Sequence, residues 1–196
     1  MNLIFESITN RFIPKSKEST KIYRSRIGKF QGWISIIVNG LMFFLKLLIG
    51  FIIGSISVIA DAFHTLTDVI SSGVVIWGFN ESEKPADKEH PYGHGRAEYV
   101  ATLVIAILLI VAGIEFIESS IERIVDPTIV EPQWWMIISI VITIFIKILV
   151  ALYAEFLSSK IASSTLHADA WHHQADAISS FLVAFAMILG KYGYSQ

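Results

Sequence analysis

Two stretches of this sequence carry the same ionisable residues at the same spacing. Residues 60–72 read ADAFHTLTDVISS, and residues 168–180 read ADAWHHQADAISS. His64 and Asp68 are four apart in the first, as are His172 and Asp176 in the second. On an α-helix that spacing stacks imidazole and carboxylate on one face, about 6 Å apart along the axis. If the two faces meet, they present two imidazole nitrogens and two carboxylates, a four-coordinate N/O set that suits a tetrahedral divalent ion such as Zn²⁺. Two carboxylates and two neutral imidazoles also carry the charge that one divalent cation cancels. Without the ion, buried carboxylates are costly and take up protons instead, so metal and protons compete for the same atoms. Proton-coupled exchange follows if the site opens alternately to each side.

The surroundings of these pairs are apolar. The chain is 54% hydrophobic and 16% charged, with a mean hydropathy of +0.60, whereas an ordinary soluble domain is nearer a quarter charged. Five segments, near 31–53, 56–79, 98–121, 133–157 and 168–190, are long enough to cross a hydrocarbon core of roughly 30 Å, which takes about 20 helical residues. Helices are the expected spans, because backbone groups in lipid must be paired within each segment. The fold class expected is therefore an all-α integral membrane protein, a transmembrane helix bundle. GSIS (54–57) reads as a tight turn, 80–98 as a polar loop, VDPTIVEPQ (125–133) as a Pro-marked loop and SSKIASST (158–165) as a short polar connection. Residues 1–30 read as a basic segment preceding a transmembrane domain over 31–196, without a signal-peptide pattern. A net charge of −2 gives no basic field for nucleic acid, and the absence of Cys excludes disulfides, thiolate ligands and Cys nucleophiles.

Lys and Arg cluster before the first span, in the 80–98 loop (Lys84, Lys88, Arg96) and at Lys160, leaving Arg123 and Lys191 on the other side. That asymmetry places the N-terminus and the 80–98 loop in the cytoplasm, and the plasma membrane is the expected location. The two matching strings then lie on the second and fifth spans, which run in opposite directions. Similar sequence in opposite orientation marks an inverted-topology repeat. Its units would be spans one to three and four to six, so five helices are present of an expected six, and a truncated chain is expected.

Ionisable residues at helix centre cost roughly 2.5–3.5 kcal/mol on insertion scales, so they face a cavity or one another. His173 is offset by about 100° from His172 and reads as a packing or supporting residue. Asp61 and Asp169 read equally as access-path or supporting acids and as interfacial carboxylates. Asn39 reads as an interhelical hydrogen-bonder. Lys46 reads as a snorkelling cation, and Lys147 as one that faces protein. Glu115, Glu118 and Glu122 share a face that reads as a water-facing vestibule. In the polar loop, PADKEHPYGHGRAE supplies Asp87, His90 and His94. A turn-rich loop can fold one carboxylate and two imidazoles around an exposed metal; solvated histidines are the plainer reading of that spacing.

The strings GSISVIADAFHTLTDVISS, KPADKEHPYGHGRAEY and HADAWHHQADAISS together resemble the cation diffusion facilitators, which export divalent metals in exchange for protons. The resemblance runs from about residue 30 on. It implies a transport site of His64, Asp68, His172 and Asp176, and a loop site of Asp87, His90 and His94. It also implies Zn²⁺ as cargo, with Fe²⁺, Co²⁺, Cd²⁺ and Mn²⁺ as the other candidates, and no organic cofactor. Family members have a sixth helix and a cytoplasmic domain that helps form a homodimer, and this chain shows neither. The alternatives are a non-transporting fragment or metal sensor, an intramembrane metal-dependent enzyme (no HExxH is present) and a haem protein with axial His64 and His172.

Overall fold

The structure is a computed structural model that describes residues 2–14, 20–54, 56–125 and 133–192, apart from the side chains of Ile53, Ser57 and Arg123. Six helices follow one another among these residues: α1 (Asn2–Phe12), α2 (Thr20–Ile53), α3 (Ile56–Glu83), α4 (Ala97–Val125), α5 (Trp134–Ile161) and α6 (Ser164–Lys191). Helices α2 to α6 are each long and apolar enough to cross a membrane. All five expected spans are thus helical, and several run further than the apolar stretch alone foretold. Most of the expected 125–133 loop lies outside the described residues.

Two antiparallel hairpins frame the molecule, α2 with α3 and α5 with α6, while α4 packs against α3 and α6. The first hairpin turns at Gly54, whose φ of 65° is a left-handed conformation that glycine adopts without strain. In the second, Ala162 takes the left-handed position (φ 50°, ψ 54°), its N–H donates to the Ser158 carbonyl, and Ser163 caps α6 by accepting from the Leu166 N–H. The packed core gathers at this end of the bundle, around Ile27, Val75, Phe79, Ile105, Tyr153, Leu157 and Leu166. Leu41, Phe44, Leu103, Phe145 and Phe181 point outward and are more than half exposed. A lipid environment accounts for such a surface, because hydrocarbon tails solvate it as well as a protein interior does.

Helix α2 meets α3 through small residues. A Cβ built on Gly28 would stand 2.2 Å from the Phe79 ring, so only glycine permits this approach. Gly28→Ala is expected to cost about 1–3 kcal/mol through overpacking. Gly73→Ala, where nothing lies within 4 Å of the added carbon, should instead gain up to about 1 kcal/mol from helix propensity. Thermal unfolding in detergent should show shifts of opposite sign.

Helix α1 is an addition to the expected basic N-terminal segment. Phe5 packs edge-on against Tyr153 (centroids 5.2 Å) and Thr9 Oγ1 lies 3.0 Å from the Tyr153 hydroxyl, while Leu3, Ile4 and Phe12 face outward. An amphipathic helix so placed suits a membrane interface.

Candidate metal centre

The inward stripe of α3 follows Ala62, Thr65, Asp68, Ser72, Val75 and Phe79, all buried. These steps of three and four residues keep one side of the helix toward its neighbours. Asp68 is fully buried and faces α6, where His172 Nε2 lies 3.1 Å from Asp68 Oδ1 and 3.7 Å from Asp176 Oδ2. One ligand atom each from Asp68, His172 and Asp176 lie within 4.8 Å of one another. A divalent ion bonded at about 2.0–2.2 Å joins donors up to roughly 4 Å apart, so a small contraction closes this set around one cation. The other ring nitrogen, His172 Nδ1, is buried and finds no hydrogen-bond partner among the described residues.

His64 is not brought into this group. Its imidazole is exposed, and its backbone carbonyl accepts from the Thr67 hydroxyl. His64 and Asp61 lie in the first turns of α3, toward the Gly54 turn and away from the packed core, and both are exposed.

A fourth group does converge. Lys147 Nζ, from α5, donates to Asp68 Oδ2 at 2.6 Å and to Asp176 Oδ2 at 2.5 Å. Its side chain is 5% exposed, against 1% for Asp68 and 10% for Asp176. The residue that reads from sequence as facing protein is therefore the shared counter-ion of both carboxylates.

Supporting groups surround the centre. Ser71 and Ser72 donate to the Asp68 carbonyl. His173 Nε2 lies 3.2 Å from Ser35 Oγ and 3.7 Å from Asp169 Oδ1, in keeping with a supporting role. Asp169 is fully buried, so its interfacial reading fails, and among the described residues neither its oxygens nor Asn39 Nδ2 meet a hydrogen-bond partner within bonding geometry. At the far end lies Lys46. It pairs with Asp61 at 2.8 Å and donates to Thr65, tying α2 to α3. Glu115, Glu118 and Glu122 are exposed.

Asp87, His90 and His94 also come together, with ligand atoms within 4.8 Å of one another, in the turn between α3 and α4. The His90 and Glu89 N–H groups donate to Asp87 Oδ1 at 2.6 and 3.0 Å. The His90 amide in particular holds the Asp87 carboxyl below its ordinary range. His94 Nδ1 lies 3.1 Å from the Pro85 carbonyl, which leaves Nε2 toward Asp87 at 3.5 Å. Glu81 stands 3.9 Å from the same nitrogen, a neighbour that loop spacing could not reveal.

Residues 32–196 match the cation efflux transmembrane domain. The chain belongs to the cation efflux family. It is 37% identical over 160 residues to an uncharacterized transporter of Methanocaldococcus jannaschii, covering 82% of this chain and 56% of that protein. It is 28% identical over 162 residues to the magnetosome protein MamM of Magnetospirillum gryphiswaldense (82% and 51%). Against the manganese efflux system protein MneP of Bacillus subtilis it is 27% identical over 174 residues (88% and 58%). The chain thus spans about half the length of the curated relatives it matches. In this cation efflux chain the groups that sequence spacing brought to notice lie on α3 and α6, and the cation that unites them comes from α5.

Proposed function

We propose that the protein exports a divalent metal cation, Zn²⁺ in the leading reading, in exchange for protons, with no covalent chemistry. The observation that carries this reading is the convergence of Asp68, His172 and Asp176 from two antiparallel helices inside a bundle of membrane-spanning length. Buried carboxylates beside an imidazole form a site that a dehydrated cation and protons can occupy in turn. His64 joins as the fourth ligand when α3 shifts so that its imidazole, one helical turn from Asp68, meets the same ion. Asp87, His90 and His94 form a second, exposed divalent site on the approach from the cytoplasm, the side on which the N-terminus lies. The full protein works as a homodimer in the plasma membrane.

A second reading, Mn²⁺ or Fe²⁺ as cargo, is favoured by the donors now together, one imidazole and two hard carboxylates. The manganese efflux relative supports it too. Proteoliposomes carrying an internal pH dye, challenged in turn with Zn²⁺, Mn²⁺, Fe²⁺, Co²⁺ and Cd²⁺, decide between them. Zn²⁺-driven proton movement that falls about tenfold in His64→Ala supports the His64-containing site, in line with the tenfold or greater cost of losing a supporting metal-site group. Mn²⁺-driven movement indifferent to His64 supports the second reading. No proton movement with any of the five ions would refute both.

A further inference from the structure

Lys147 stands where the cargo should be. Its ammonium lies between the two carboxylates that give the site its charge, within hydrogen-bond distance of each. The other buried residues of α5 are apolar or hydroxyl-bearing, so this single charge is aimed at the site from a third helix. An ammonium held by two carboxylate oxygens and a divalent ion coordinated by the same carboxylates need the same space. Together they would set three positive charges against two negative ones in a dry interior, where like charges repel strongly.

We propose that Lys147 is a tethered substitute for the transported cation: its ammonium fills the site once the metal has left, and withdraws when metal binds. The inference rests on the divalent-transport reading and adds a specific step to it. An empty carrier with two bare carboxylates would pay heavily to reorganise within the membrane. With Lys147 in place one carboxylate is compensated, and a single proton on the site leaves that state uncharged. The lysine then serves two ends at once, lowering metal affinity by competition and letting the unloaded protein return. A lysine that merely pins α5 to α3 and α6 would do neither.

The test compares wild type with Lys147→Met, which keeps the aliphatic stem and removes the charge, and with Asp176→Asn. Metal binding is measured by calorimetry in lipid nanodiscs with ZnCl₂ and MnCl₂. Proteoliposomes report net efflux against metal–metal counterflow, in which the carrier crosses only loaded. The Met variant should bind metal roughly tenfold more tightly, within the usual range of coupling between two ligands of one protein. Its ratio of net efflux to counterflow should fall by a comparable factor. Unchanged or weaker binding by folded Lys147→Met, with binding lost in Asp176→Asn, overturns the substitution by lysine and leaves the metal site intact. Wild-type binding in Asp176→Asn refutes the metal site itself. Should the Met variant fail to fold, a structure of the metal-loaded wild type decides. Lys147 still bridging both carboxylates overturns the inference, and Lys147 withdrawn from them upholds it.

Discussion

Asp68→Asn and Asp176→Asn, made singly, are each expected to lower metal-driven proton movement by at least about a hundredfold, the upper end of what loss of a supporting group costs a metal site. Each substitution leaves one anionic ligand where a divalent cation needs two, and Lys147 already neutralises that one. The two variants should part company in stability. Asp68 accepts from Lys147 and lies within hydrogen-bond distance of His172, whereas Asp176 holds Lys147 at 2.5 Å and stands 3.7 Å from His172. Removing one partner of a buried pair costs about 3–5 kcal/mol when it strands the other charge. In either variant Lys147 keeps one carboxylate, so the loss should be smaller than that. It should be larger for Asp68→Asn, because His172 loses its closer partner as well. Thermal unfolding in chelator ranks the two, and vesicle flux measures the shared functional loss. Either variant retaining flux within about twofold of wild type would remove that residue from the site.

The parts of this centre that could be read from sequence are those governed by local periodicity. Apolar length gave the five spans, and the spacing of four drew attention to Asp68, His172 and Asp176, which the structure brings together. Three features escaped because they depend on how the elements cover one another or on distant chain segments. His64 shares a nominal face with Asp68, yet the bundle covers α3 at Asp68 and leaves it open at His64 and Asp61, and spacing does not state how far that cover extends. Lys147 is 79 residues from Asp68, and a single cation in an apolar run points to burial against protein without naming its partner. Helix α1 falls within the stretch that composition presents only as a basic segment. Its residues Leu3, Ile4, Phe5, Ile8 and Phe12 recur at helical spacing, and Tyr153 and Phe156 supply the surface that holds one of them, Phe5.

Glu98→Ala is expected to destabilise the protein by about 2–3 kcal/mol, and the reason bears on how the centre is sealed. The Glu98 side chain is 8% exposed, and its Oε1 accepts from Arg24 Nη2 at 2.8 Å and from Ser163 Oγ at 2.6 Å. Arg24 also donates to the Ile161 and Ala162 carbonyls, the groups left over where α5 ends. One carboxylate thus ties α2, α4 and the α5–α6 turn together, and Thr165 adds a bond to the Glu98 carbonyl. Breaking a fully buried ion pair costs about 3–5 kcal/mol. Arg24 is 36% exposed, so solvent screening lowers the figure, while the unpaired Ser163 hydroxyl restores part of it. A double-mutant cycle with Arg24→Met separates the pair from its surroundings. A coupling energy of about 1–2 kcal/mol is expected, and one below about 0.5 kcal/mol would mean the two residues act independently. The cycle also reports on mechanism. Opening the bundle at this end means parting α2 and α4 from the α5–α6 turn, and this junction helps the packed core hold them. Variants that lose the coupling should therefore admit water-soluble thiol reagents to a cysteine placed at Ser35, beside His173, faster than the parent does. Equal labelling rates would show that the seal lies elsewhere, and would leave the Glu98 junction a purely structural one.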